Sequence, residues 1–100
     1  MTVTELAERI RIAASEEIGR SRRLLESVGL TWSEPALVVS KRSSNEYTAE
    51  LKVVFYRNED IVDIFEFFVC DGGILKTSED EVRQWIRSNV PDVVRRQKQG

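Results

Sequence analysis

Two apolar runs rich in β-branched and aromatic residues meet at the polar segment Arg57-Asn58-Glu59-Asp60. This arrangement is typical of an antiparallel β-hairpin, here with strands from Tyr47 to Tyr56 and from Ile61 to Cys70. We expect a three-residue loop, Asn58 to Asp60, which places Lys52 opposite Glu66. The hairpin constrains the fold more than any other feature, because its register decides which side chains share each face of the sheet.

A long helix is predicted from about Val3 to Val28, because Thr2-x-x-Glu5 has the spacing of a capping box and Gly29 is a typical helix terminator. A second capping box, Ser78-x-x-Glu81, predicts a shorter helix that Pro91 interrupts. Between the helices we expect a loop over residues 30–35, a short strand over 36–41, a polar turn over 41–46, the hairpin, and a sheet end at 71–73.

The order of elements is therefore α-β-β-β-α, and residues 1–100 are long enough for a single domain. The predicted class is α+β, with a long N-terminal helix packed on a three-stranded antiparallel meander and a short C-terminal helix. In the predicted register, odd-numbered strand residues form the core face. These are Leu51, Val53, Phe55, Ile61, Phe65, Phe67 and Val69.

The even-numbered face is too apolar to be an ordinary water-facing surface. It carries Val54, Tyr56, Val62, Ile64 and Phe68 beside a few charged residues. Helix 1 covers one face of the sheet, and the second helix is too short to cover all of the other. We expect a partner chain on this even face, and the alternative is that the second helix and the tail bury it. Ile12, an apolar residue on the polar arc of helix 1, is a further candidate interface residue.

Helix 1 also carries an acid in the middle of its apolar arc, Glu17, with Ser21 one turn further along. A buried carboxylate is costly unless a partner or water meets it. One interpretation is a small-molecule pocket between helix 1 and the sheet, with Glu17 and Ser21 as its polar floor. The other is a structural ion pair or hydrogen bond, with Arg57, Lys52 or a tyrosine as the partner.

Catalysis is poorly supported by the sequence. The chain has no histidine, which removes the commonest acid/base group near neutral pH and the usual transition-metal ligand. The one cysteine, Cys70, ends an apolar strand and is expected to be a buried structural thiol. The acids Glu79, Asp80 and Glu81 fit the first turn of a helix better than a metal site. The sequence therefore favours a non-enzymatic role without deciding against an enzyme, and we expect no metal and no cofactor.

Nucleic-acid and membrane binding are also disfavoured. The chain has 15 basic and 17 acidic residues, so no strong field attracts a polyanion. Double-stranded-RNA-binding domains share the predicted order of elements, but the segment from Thr77 to Glu81 is acidic where they place basic residues against phosphate. No secretion signal or apolar run of membrane-spanning length is present, and a cytoplasmic location is expected.

The sequence thus predicts a protein-interaction domain, most simply a homodimer joined through its sheet or through Ile12 on helix 1. Two alternatives remain open. One is a small-molecule binder with Glu17 in its pocket. The other is an acidic adaptor or inhibitor of a basic protein, because eight acids and one base, Lys76, lie between Glu59 and Glu81.

Overall fold

The computed structural model describes residues 2–41 and 47–99 as an α+β fold, with an N-terminal helix, an antiparallel sheet and a C-terminal helix, as the sequence predicts. The predicted polar turn before the hairpin lies at residues 42–46, outside the described residues. The elements in chain order are α1 (Val3–Arg20), α2 (Arg22–Glu26), β1 (Leu30–Trp32), β2 (Ala36–Lys41), β3 (Tyr47–Arg57), β4 (Asp60–Asp71), β5 (Ile74–Leu75) and α3 (Glu79–Gln99).

The sheet contains two short strands besides the three that the sequence predicts. Strands β1 and β2 pair one after the other with the same edge of β3, while β4 pairs with its other edge and β5 with β4. Pro35 lies between β1 and β2 and has no amide hydrogen to contribute to the ladder. Ser33 bridges the interruption: its amide donates to the carbonyl of Val54, and its hydroxyl accepts from the Val54 amide, both at 2.9 Å.

The predicted hairpin register is confirmed in its central part, where Lys52 lies opposite Glu66. The turn itself differs, because Arg57 pairs with Asp60 and only two residues remain in the loop. The first of them, Asn58, has φ 57°, a left-handed conformation that asparagine tolerates better than most residues.

A β-bulge between the turn and the central register changes which side chains face outward. The register shift between Phe55 and Tyr56 places Ile61 opposite Tyr56 and leaves Val62 as the extra residue of β4. The predicted faces of Ile61 and Val62 were therefore wrong. Ile61 is 58% exposed instead of buried, and Val62 packs against the core instead of lying on the even face.

The N-terminal helix begins as predicted but is shorter than expected. Thr2 caps it, since its hydroxyl accepts a hydrogen bond from the Glu5 amide at 3.1 Å. The helix ends at Arg20, and the single turn of α2 follows after Ser21. The predicted continuous helix to Val28 is thus broken in two, and Gly29 follows the second piece with φ 76°, in the left-handed region expected of a terminating glycine.

The C-terminal helix is longer than the sequence indicates. The Ser78 hydroxyl accepts a hydrogen bond from the Glu81 amide at 3.2 Å, which confirms the predicted start of the helix. Pro91 lies inside α3 and does not end it, because the helix continues to Gln99. Val90, Val93 and Val94 on both sides of the proline are buried, and this tertiary packing outweighs the missing hydrogen bond.

Both helices pack on the same face of the sheet. Trp85 of α3 makes edge-to-face contacts with Phe65 and Phe67 of β4, at ring-centroid distances of 4.8 Å and 5.2 Å. Phe65 contacts Phe55 in turn, at 4.7 Å. The buried residues of α1 and α3 join these odd-numbered strand residues in one core. The second helix therefore does not bury the even-numbered face, contrary to one of the possibilities that the sequence leaves open.

Truncating Phe65 to alanine should destabilise the fold far more than truncating Phe68. Phe65 is 3% exposed and contacts two aromatic rings, so its loss should lower the free energy of unfolding by about 3–5 kcal/mol. Phe68 is 55% exposed, and its loss should cost less than about 1 kcal/mol in the isolated chain. Urea unfolding of both variants at low protein concentration measures the difference. A larger loss for Phe68→Ala would show that the two faces of β4 are assigned wrongly.

Candidate functional site

The face of the sheet opposite the helices is the main candidate site, and we call it the open face. Its side chains follow from the pairing register and the alternation of strand residues. It includes Thr31 in β1, Ala36, Val38 and Ser40 in β2, Thr48, Glu50, Lys52, Val54 and Tyr56 in β3, and Ile61, Ile64, Glu66 and Phe68 in β4. Within residues 2–41 and 47–99, no helix packs on it.

Large apolar side chains of the open face are in contact with solvent. Phe68 is 55% exposed, Ile61 58%, Val38 46% and Ile64 43%. Single exposed hydrophobic residues are ordinary, but three of these residues follow one another along β4, and Val38 lies on the same surface on β2, with β3 between them. This grouping is typical of a surface that another molecule covers.

A charged cluster crosses the middle of the open face between the apolar residues. The Lys52 ammonium lies 3.6 Å from the Glu66 carboxylate across the strand pair and 3.7 Å from the Glu50 carboxylate on its own strand. All three side chains are one-third to one-half exposed, so these pairs contribute little to the stability of the isolated chain. Their alignment nevertheless gives the face a fixed pattern of charge.

The structure brings together most of the predicted interface residues. Val54, Tyr56, Ile64 and Phe68 share the open face, whereas Val62 is turned toward the core by the bulge. Ile12 is 43% exposed but belongs to the helix layer, on the other side of the sheet. It lies near the start of α3 and cannot share one surface with the open-face residues.

Ile61 and Val38 are among the open-face residues that the sequence does not predict. A three-residue loop places Ile61 on the core face, whereas the observed two-residue loop places it on the open face. The preference of Asn58 for left-handed geometry favours a two-residue turn and would have indicated the shift. Val38 lies on the open face because it pairs with Glu50, whereas Leu37 and Val39 lie on the helix side of β2; residues 36–39 are all apolar, so the sequence shows no alternation that separates the two sides.

The structure places Glu17 between α1 and α3. Its side chain is buried, and its carboxylate accepts hydrogen bonds from Arg87 and, at 3.4 Å, from Arg83. Arg20 lies 3.5 Å away on the next turn of α1. The partners expected from the sequence were Arg57, Lys52 or a tyrosine, and the two arginines of α3 were not predicted because the sequence does not show where α3 packs.

The arginines also set the ionisation of Glu17. The hydrogen bond from Arg87 lowers the pKa of the Glu17 carboxyl below its ordinary value, and this effect exceeds the opposing effect of burial. The Glu17 carboxyl is therefore ionised at neutral pH and serves as the counter-charge of the arginines around it. A general acid near neutral pH would instead need a raised pKa.

Ser21 does not extend Glu17 into a polar pocket floor. Its hydroxyl donates to the backbone carbonyl of Glu17 at 3.4 Å, one turn back along the chain. A cleft of about 470 Å³ does lie between α1 and the sheet, but at the opposite end of α1. Its apolar lining is formed by Val3, Ala7, Leu37, Val39, Ala49 and Cys70. Ligand binding by Glu17 and Ser21 remains a prediction.

The other chemical candidates from the sequence are dispersed. Cys70 is buried, as predicted. In the part of the chain that the structure describes, no three acids or thiols are grouped closely enough to hold a metal ion. The same part contains no helix that is both long and apolar enough to cross a membrane.

Comparisons with known proteins give no functional information. No protein-family model matches the sequence, and no curated protein or solved structure is significantly similar to the chain. The candidate site therefore rests on the geometry of this chain alone.

Replacing Glu17 by glutamine should destabilise the fold. The change leaves Arg83 and Arg87 without their buried counter-charge, and we expect a loss of about 1–3 kcal/mol in the free energy of unfolding. The matched control is Glu16→Gln, since Glu16 pairs with Arg83 at 2.8 Å but is half exposed, and it should cost less than about 1 kcal/mol. A glutamine variant of Glu17 more stable than the parent chain would contradict the structural role.

The destabilisation caused by Glu17→Gln should depend on pH with a defined sign. Because the native pKa of Glu17 is lowered, its stabilisation is complete above the unfolded pKa of about 4.3 and is lost as pH falls further. The stability difference between the two proteins should thus be constant from neutral pH to about pH 5 and shrink below it. Denaturant unfolding at several pH values measures this difference, and a constant difference down to pH 2 would contradict the assignment.

Proposed function

We propose that this chain is a protein-interaction module that self-associates through its open face. The observation that carries the proposal is the placement of both helices on one side of the sheet, which leaves Ile61, Ile64 and Phe68 in solvent on the other side. A second copy of the chain would remove this apolar surface from water, at a gain of roughly 25 cal/mol per Å².

The dimensions of the chain support an incomplete assembly. Its accessible surface is 6364 Å², whereas a folded monomer of this mass exposes roughly 5,800 Å². Its radius of gyration is 14.4 Å, against about 13 Å for a compact domain of 100 residues. Both differences are in the direction expected for a protomer that buries one flat side against a partner.

A basic protein partner is less well supported than a second copy. The acids that suggest such a partner are spread along the whole of β4 and the first turn of α3, and Asp60 and Asp71 alone are separated by roughly 35 Å along the strand. That distance is several screening lengths at physiological salt. Asp63 is also paired with Arg96 of α3, and Glu66 with Lys52. These acids do not form one continuous patch.

A negative charge introduced on the open face should prevent self-association without unfolding the chain. Ile64 is 43% exposed, so Ile64→Glu is accommodated in the monomer but places an unpaired charge in the proposed interface. Light scattering after size exclusion should show a dimer for the parent chain at high concentration and a monomer for the variant. Circular dichroism checks that the variant keeps its secondary structure.

Leu24→Glu is the matched control for this experiment. Leu24 is 42% exposed, almost the same as Ile64, but lies on α2 in the helix layer. The control should associate like the parent chain. If Leu24→Glu abolishes association and Ile64→Glu does not, the interface lies in the helix layer and the proposal is wrong.

A further inference from the structure

The charges of the open face specify how two copies would align, an inference that rests on the proposed function. Lys52 and Glu66 lie directly opposite each other on β3 and β4. Consider a two-fold axis that runs parallel to the strands, midway between β3 and β4. It places β3 of the second copy over β4 of the first, and β4 over β3, so that each residue faces the residue with which it pairs within its own chain. Each Lys52 then faces the Glu66 of the second copy, and each Glu66 faces its Lys52.

We infer that two copies pack open face against open face about this axis, with reciprocal Lys52–Glu66 ion pairs across the interface. The same operation superposes two apolar pairs at the turn end of the hairpin, while Phe68 faces Glu50 of the second copy. Val54 faces Ile64 of the second copy, because these residues are paired within each chain, and Tyr56 faces Ile61 for the same reason. Sheets packed in this way lie about 10 Å apart, a gap that an extended lysine and a glutamate span together.

Other two-fold arrangements fit the face less well. An axis parallel to the strands but centred on β3 brings Lys52 against Lys52, and an axis across the strands at the height of Lys52 does the same. An axis across the strands between Glu50 and Lys52 does pair these two charges. It places Glu66 against Phe68, just as the inferred alignment places Glu50 against Phe68, but it also carries the apolar end formed by Tyr56 and Ile61 beyond the region of overlap.

The charge-exchanged double variant, Lys52→Glu with Glu66→Lys, tests this alignment. It keeps an opposite-charge pair between the two positions and loses the pair of Lys52 with Glu50, but these side chains are one-third to one-half exposed, so we expect the variant to fold with little loss of stability. The double variant should dimerise with itself as strongly as the parent chain does. A mixed dimer of variant and parent chain brings Glu against Glu and Lys against Lys, and we expect it to form at least about tenfold more weakly.

Native mass spectrometry of an equal mixture of the two proteins measures this preference directly, with one chain labelled by a heavy isotope. The predicted spectrum contains both homodimers and little mixed dimer, and the preference should decline with added salt. A statistical mixture, with the mixed dimer as half of all dimers, would overturn the alignment while leaving self-association intact. Two proteins that are both monomeric would instead overturn the proposed function itself.

The single variants distinguish the remaining arrangement. In the inferred alignment, Lys52→Glu should form a mixed dimer with Glu66→Lys, because every pair across the interface then has opposite charges. Lys52→Glu should not gain the same preference for Glu50→Lys. The reverse result, preferential pairing with Glu50→Lys, would show that the two-fold axis runs across the strands and would overturn the inference.

Discussion

The placement of α3 beside α1 on one face of the sheet is the constraint on which the rest of the structure depends. Two sets of contacts hold it there: the ring of Trp85 against Phe65 and Phe67, and the arginines of α3 around the buried carboxylate of Glu17. The aromatic contacts supply buried apolar area, whereas the carboxylate supplies specificity, because a buried charge is tolerated only where its partners are present. Glu17 thus favours the observed position of α3, in which Arg83 and Arg87 contact its carboxylate.

The open face is a direct consequence of this packing. A sheet with one apolar face is completed by a single helix layer, but this sheet has apolar residues on both faces. Because both helices pack on one side of the sheet, no helix within the described residues packs on Ile64, Phe68 and the other open-face residues. The charged cluster of Glu50, Lys52 and Glu66 keeps this surface from being uniformly apolar.

Much of the fold could be predicted from local sequence signals, and the parts that could not depend on long-range packing. The capping residues Thr2 and Ser78 and the alternation around Lys52 and Glu66 act over a few residues, and all were predicted correctly. The bulge at Val62 depends on the backbone geometry at Asn58, which alternation does not reveal.

The face that α3 covers is set by contacts between residues far apart in the sequence. The amphipathic pattern of α3 shows that one of its sides is buried, but not against which surface. The partners of Glu17 were missed for the same reason, since Arg83 and Arg87 are 66 and 70 residues further along the chain. The sequence did reveal Glu17 as an exception to its helix pattern, although the exception indicated a pocket as readily as an ion pair.

The central claim is that the open face binds a second copy of the chain. Sedimentation equilibrium of the unmodified protein, from micromolar to millimolar concentration, tests it most directly because no mutation is required. The account predicts that the average mass rises with concentration from 11.5 kDa toward twice that value. A mass that stays at 11.5 kDa over the whole range would contradict it.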